Sequence, residues 1–416
     1  MCRYLLMLNR IVDFPNMKRL TLVSLAFGLA MVATPAHGRR HQVEKPQIPI
    51  LAWYSIPAGE YANLERYQEL KDAGFTLSFS HIGKYEDALK ALDLCAKVGL
   101  KSVFTCGELE KEPEETVRKV SHHPGLGAYF LRDEPMDDAM PGLAEWARRI
   151  EAVDKQHPCY LNLLPVQAFP STDVYRKHVQ LFDSLVNLPQ LSYDHYPVNQ
   201  VGDSIFLNGQ YWNNLEVVAA EARRTGKPFW AFALATAHGS YPIPTLDQLR
   251  LQLYADLAYG AQCLQYFTYW NPGTETWNFH QAPITQDGHR SPVYEVVREM
   301  NREIQSRADV FLGAKVSSVE HLGDEIPMGT HKLQTLPAHF TQLDTHGQGA
   351  LVSRLSNNGR QYVVIQNTSV CKPLQMDIQT DGHLRLVLAD GKRQDAALYG
   401  PLFILTPGNI LVFEGD

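Results

Sequence analysis

Short apolar runs alternate along this chain with longer stretches in which apolar residues recur every three or four positions. The runs are "IPILAWYSIP" (48–57), "TLSFSHI" (76–82), "LKSVFTCG" (100–107), "LGAYFLRDEP" (126–135), "CYLNLLPV" (159–166), "QLSYDHYPV" (190–198), "PFWAFALATAHG" (228–239) and "CLQYFTYWNP" (263–272). They are apolar almost throughout, which marks strands buried on both faces. The segments between them, such as "YEDALKALDLCAKVG" and "TLDQLRLQLYADLAYGAQ", have helical spacing, and several end on Gly or Pro. Eight such strand and helix units, the last helix being "VYEVVREMNREI", predict a parallel sheet clothed in helices and closed as a (β/α)8 TIM barrel over 39–315.

Past residue 316 the period changes. "ALVSRLS", "QYVVIQNTS", "LRLVLADG" and "ILVFEGD" alternate in steps of two, with the turn signals "NNG", "DG" and "PGN" between runs. These predict a small antiparallel, sandwich-like β domain over 316–416 that packs on the barrel and offers no evident site of its own.

Composition narrows the function. With 416 residues, 45% hydrophobic and 20% charged, the chain has the balance of a globular protein of one large and one small domain. A formal net charge of -7 without a Lys/Arg cluster leaves no footprint for nucleic acid. At the N-terminus, Met17-Lys18-Arg19 is followed by the apolar run "LTLVSLAFGLAMVA" and then by "TPAHG". That is the order of a signal peptide, covering 1–38, with Met17 as the true start and export to the periplasm or medium as the expectation. The run is short for a membrane span. Cys2 would leave with the leader; Cys95, Cys106, Cys159, Cys263 and Cys371 have no C-x-x-C spacing and are expected to be mostly buried free thiols.

In a barrel of this kind the site forms at the C-terminal ends of the strands. The residues found there are Trp53 and Tyr54 on strand one, His81 on two, Asp133 and Glu134 on four, Asn162 on five, Tyr193, Asp194, His195 and Tyr196 on six, His238 on seven, and Tyr269, Trp270 and Asn271 on eight. A pyranose offers an apolar face to aromatic rings and hydroxyls to Asn, His and Asp, so this rim suits a carbohydrate. Trp53, Tyr196 and Trp270 are the candidate stacking platforms, although a Trp in a barrel strand is also often core. His81, His195 and His238 lie on separate strands without H-x-H spacing, and neither a metal nor an organic cofactor is implied.

The strand-four ending "RDEP" resembles the "N-E-P" ending of clan A glycoside hydrolases, with Asp133 in the place of the Asn. A barrel followed by a small β domain is also similar to many secreted bacterial glycosidases. The resemblance implies that Glu134 is the general acid/base. It also implies a nucleophilic Glu at the end of strand seven, where this sequence reads "FWAFALATAHG" and has no carboxylate.

Glycosidic cleavage needs a protonated carboxyl for the leaving oxygen and usually a second carboxylate. Asp194 in "SYDHYP" is the leading candidate for the second; Glu275 after strand eight is its rival, and Glu108 beyond strand three is expected to face solvent. Some other barrel glycosidases pair strands four and six, or position an N-acetyl group with a strand-six Tyr-Asp pair. Because neighbouring strand residues point to opposite faces, one of Asp133 and Glu134 is expected to face the barrel axis and the other to support Arg132 or a loop. The plainer reading has both capping the next helix. The sequence thus supports a secreted glycosidase with Glu134 as acid, or alternatively an exported carbohydrate-binding barrel that does not cleave.

Overall fold

The computed structural model describes residues 46–275 and 277–416. The expected leader lies outside them. Eight parallel strands run Ile50–Trp53, Leu77–Ser78, Lys101–Phe104, Leu126–Asp133, Cys159–Asn162, Leu191–Tyr193, Phe229–Leu234 and Cys263–Phe267. Numbered one to eight, they hydrogen-bond in the order 5-4-3-2-1-8-7-6. The two open edges meet where the N–H of Leu163 donates to the carbonyl of Ser192 at 2.8 Å, which closes the cylinder. The (β/α)8 expectation is therefore met.

Two shells of apolar side chains hold the barrel. Inside it, Leu51, Trp53, Phe79, Val103, Ala128, Phe130, Tyr160 and Phe232 fill the axis. Outside, the alternate strand residues meet the helices; Tyr129, Leu131, Leu161, Tyr193, Ala231 and Ala233 belong to that larger core. This is the period-two geometry of a strand sandwiched between two apolar layers.

The helix Leu246–Tyr259 shows how sequence and packing agree. It opens with a reciprocal cap in which Thr245 and Gln248 exchange hydrogen bonds. It is buried almost all round, as expected of a helix with an element on each side. One side faces the barrel and the other is covered by the β domain. That domain has a six-stranded antiparallel sheet and a three-stranded one. Phe340, Val352, Ile365, Met376, Ile378 and Phe413 are among the side chains between them. Ser353 donates to the carbonyl of Ala258 at 2.7 Å, and the Gln366 amide donates to that of Leu251 at 3.0 Å. Gly408 is needed here: its φ is +68°, and a Cβ would lie 2.3 Å from the carbonyl oxygen of Asp247.

An unforeseen hairpin, Val198–Val201 with Ser204–Leu207, follows strand six. Gln200 N–H donates to the Ser240 carbonyl at 2.7 Å, and Ser240 returns a bond to Asn199 at 2.9 Å, tying the hairpin to the loop after strand seven. No described helix is long and apolar enough to cross a membrane. Of the described cysteines, Cys95, Cys106, Cys159 and Cys263 are buried free thiols, and Cys371 is free and exposed.

Candidate active site

Strand four makes the site by breaking its own pattern. Ala128 and Phe130 point along the barrel axis, so regular alternation would send Arg132 inward next. Instead the pairing with strand five skips a residue between Phe130 and Arg132. Such a bulge reverses the facing of the residues beyond it, and Asp133 comes opposite Asn162. Glu134 then adopts a left-handed backbone, with φ of 46°, held by its N–H donating to the Asn162 carbonyl at 2.8 Å. A non-glycine residue is uncommon in that region and costs about 1–2 kcal/mol there. The result is that both carboxyls open into one cavity, where only one was expected to face the axis.

That cavity, of about 570 Å³, lies over the C-terminal end of the barrel. Asp133, Glu134, Asn162 and Asp194 form one side, and Trp53, Tyr54, Tyr196, Phe232, Tyr241, Phe267, Trp277 and Phe279 supply aromatic walls. No Lys or Arg is among the residues lining it. Asp133 also lines an adjoining cavity of about 690 Å³ that holds Arg132, His81 and Trp146.

A chain of hydrogen bonds rises from the barrel interior to the carboxyls. Tyr160 O–H donates to Gln265 Oε1 at 2.6 Å, Gln265 Nε2 to Ser192 Oγ at 2.9 Å, and Ser192 O–H to Asn162 Oδ1 at 3.0 Å. The oxygen of Asn162 is thereby occupied. Its Nδ2 faces the site and donates to Asp194 Oδ1 at 2.8 Å and Asp133 Oδ1 at 3.3 Å. Glu134 lies beside Asp194, close enough for its charge to bear on the buried carboxyl.

All three carboxyls are raised, but only Asp194 is buried; Asp133 and Glu134 keep contact with solvent in the cavity. Asp133 is pushed up to about 7, chiefly by reduced access to water and then by the Glu134 charge. Glu134 is raised by the same reduced access, partly offset by its neighbour Asp194. Asp194, only 8% exposed, is raised well above the usual carboxylate range by its burial and by the charges of Glu134 and Asp133. Asp194 thus favours its protonated form, while Asp133 and Glu134 are the members open to the cavity.

The other rim residues separate cleanly. Tyr54, Tyr196 and His238 line the cavity; Trp53 touches it only as floor, 2% exposed with its ring against Phe79 at 4.3 Å, and so is core rather than a stacking platform. His238 bonds the Thr236 carbonyl through Nδ1 at 3.0 Å, and burial lowers its basicity, so it is neutral with Nε2 free to accept. His81 lies beside the cavity, its ring against Trp53, Phe79 and Phe130, and lines the adjoining one. Two further expectations are corrected. Tyr193 is 1% exposed and turns outward against Phe229, because Ser192 and Asp194 on either side of it face inward. Trp270 is also buried away from the cavity, its ring tilted against Tyr61 at 4.8 Å under the Arg66 guanidinium, and so is no sugar platform. His195 likewise faces outward to Asn214, and its burial lowers it to about 4.

Glu275 and Glu108 are exposed and do not line the cavity. At the end of strand seven, Thr236 and Thr268 bond to each other at 2.8 Å, fully buried. The pattern of strand ends missed Tyr241, Trp277 and Phe279, which come from loops. Asn271 braces the last two, donating to the Phe279 carbonyl at 3.1 Å and accepting from Gly273 N–H at 2.9 Å. Among the described residues, no three His, Cys, Asp or Glu side chains gather in a way that could hold a metal ion.

Known proteins agree with this architecture. The family model of glycoside hydrolase family 42, described as β-galactosidase, matches residues 145–307, which carry strands five to eight but not Asp133 and Glu134. No curated protein matches the sequence significantly. Among solved structures, β-galactosidase from Bacillus circulans sp. alkalophilus aligns with TM-score 0.57 at 10% identity, over 89% of this chain and 99% of that one. A family 5 glycoside hydrolase from Bacteroides vulgatus aligns with TM-score 0.53 at 12% identity, over 89% of each chain. The β-galactosidase of the haloarchaeon Halorubrum lacusprofundi aligns with TM-score 0.48 at 13% identity over 63% of this chain, which spans 58% of that protein's length. At these identities the likeness is one of fold. Together with the family match it bears out the resemblance to clan A glycoside hydrolases.

Proposed function

We propose that this barrel is an exported glycoside hydrolase that cleaves an O-glycosidic bond, with Glu134 protonating the leaving oxygen. The carrying observation is the cluster of Asp133, Glu134 and Asp194, drawn together around Asn162 in an aromatic cavity lined by no Lys or Arg. Carboxyls raised in this way hold a proton to higher pH than a free carboxyl does and can deliver it to a substrate. Asp194 is the buried member, and Asn162 and the chain beneath it hold its orientation. Tyr54, Tyr196 and Trp277 present ring surfaces to a sugar above the buried Trp53. The partial family 42 match over strands five to eight supports the same class of reaction.

The absence of a carboxylate at the end of strand seven favours a second reading, a carbohydrate-binding barrel without turnover. One experiment distinguishes the two. Purified protein is screened against a panel of aryl and natural glycosides, and Glu134→Gln is compared with the wild type on any substrate cleaved. The expected outcome is a fall of roughly 10² to 10⁴-fold on natural glycosides, and less with good leaving groups, which hardly need the acid. Sugar binding without turnover by the wild type would establish the second reading. Export is part of the proposal and rests on the sequence 17–38. N-terminal sequencing of the secreted protein should begin near Arg39; a protein retaining Met1 or Met17 refutes it.

A further inference from the structure

We propose that the nucleophile in this reaction is the substrate's own 2-acetamido group, so that the sugar at the point of cleavage is a 2-acetamido-2-deoxyhexose. The inference rests on the hydrolase reading above and concerns the same cavity.

Displacement at the anomeric carbon requires an electron pair from the face opposite the leaving group. Enzymes that supply it from a carboxylate, directly or through water, keep their two carboxyls about 5 to 10 Å apart with the sugar between them. Here the carboxyls are gathered on one side. A single Asn162 amide group reaches both Asp194 and Asp133, and Glu134 follows Asp133 into the same cavity. The wall formed by strands seven and eight and their loops consists of Phe232, His238, Tyr241, Phe267 and Phe279 and bears no carboxylate. Thr236, at the end of strand seven, is closed off by its bond to Thr268. A carboxyl held against the acid is badly placed to attack across the ring but well placed to hold a group on the neighbouring carbon. A neutral amide suits it: the N–H faces Asp194, and the methyl faces the apolar floor of Trp53, Phe232 and Phe267.

The steps balance. A proton passes from Asp194 to Glu134 and from there to the glycosidic oxygen. As the bond from the anomeric carbon to that oxygen breaks, the acetamide oxygen bonds the same carbon and closes a five-membered oxazoline ring, its N–H held by the Asp194 carboxylate. Water then attacks the anomeric carbon and gives a proton to Glu134. The bond to the acetamide oxygen breaks, restoring the acetamide and completing hydrolysis. The competing route is water activated by Nε2 of His238.

The test uses the purified full chain and aryl glycosides of N-acetylglucosamine and N-acetylgalactosamine, in both anomers, beside the matching 2-hydroxy glycosides. For the best substrate, N-acetyl is compared with N-trifluoroacetyl, whose oxygen is a poorer nucleophile. The expected result is that the acetamido substrate exceeds its 2-hydroxy counterpart in kcat/KM by on the order of 10²-fold or more, and that fluorination lowers kcat/KM by a similar factor. Equal turnover of 2-hydroxy glycosides, or indifference to fluorination, overturns the inference and leaves the hydrolase reading standing. If the wild type binds these sugars but cleaves no glycoside of any class, the hydrolase reading fails, and the inference with it.

Discussion

Replacing Asp194 by Asn separates what the residue does for the fold from what it does for the chemistry. The side chains have nearly the same shape. The new amide oxygen would still accept from Asn162 Nδ2, a bond that spans 2.8 Å in the wild type, and the new amide nitrogen would turn its hydrogens toward Glu134. No bond is lost and no cavity is made; what disappears is the ability to ionise. Asp194 is held well above the usual range, so the folded state keeps a proton that the unfolded chain releases. Its contribution is fully present at low pH and is lost as pH rises toward the folded value. Each such proton makes the unfolding free energy fall by about 1.4 kcal/mol per pH unit while it is retained. The wild type should therefore lose stability between pH 5 and 8 more steeply than Asp194→Asn, and at pH 8 the variant should be at least as stable. Urea unfolding followed by tryptophan fluorescence at four pH values measures both slopes. Activity should move the other way, falling by roughly 10² to 10⁴-fold because residue 194 can no longer supply a proton. Equal slopes, or a variant destabilised at pH 8 by more than about 1 kcal/mol, would show that the buried carboxyl does not carry the proton assigned to it.

Asp133→Asn removes a charge that helps to raise Asp194, so the alkaline limb of the kcat–pH profile should move to lower pH; an unmoved limb contradicts the proposed coupling. Trp277 is 60% exposed at the cavity mouth. Trp277→Ala should leave the unfolding midpoint in place and raise KM by about 2 to 10-fold, the loss of one aromatic contact. Trp270, 4% exposed, should behave in the opposite way: Trp270→Ala should cost about 3–5 kcal/mol of stability, and a variant of normal stability with a selectively raised KM would return Trp270 to the site.

The barrel could be read from sequence because each buried strand is an uninterrupted apolar run and each helix keeps its own period. Asp133, Glu134, Asn162 and Asp194 were visible for a related reason: charge at the end of a buried strand has nowhere to go but the rim. Which way each side chain faces was harder to see. Tyr193 had a usable signal, since it alternates with Asp194 and cannot share its face. Strand four had none: the bulge before Arg132 and the left-handed Glu134 are backbone events without a mark in residue type. Trp277 and Phe279 sit in a loop, where no period points to a facing. The hairpin after strand six left only "GD" between two short apolar segments as its trace.

The hydrogen-bond chain beneath the site has a polarity, and that polarity begins far from the carboxyls. Tyr160 has one hydrogen to give, and because Gln265 takes it on oxygen, every group above must present its donor upward. In Gln265→Glu, an almost identical shape, Ser192 would face two acceptors with one hydrogen. If that hydrogen turned down to the new carboxylate, the amide of Asn162 would be free to rotate and bring its oxygen toward Asp133 and Asp194. Acceptor would then meet acceptor at a point that the substitution does not touch. The grammar of the site is thus written on the floor of the barrel, and a homologue that alters residue 265 should be expected to alter 192 or 162 with it.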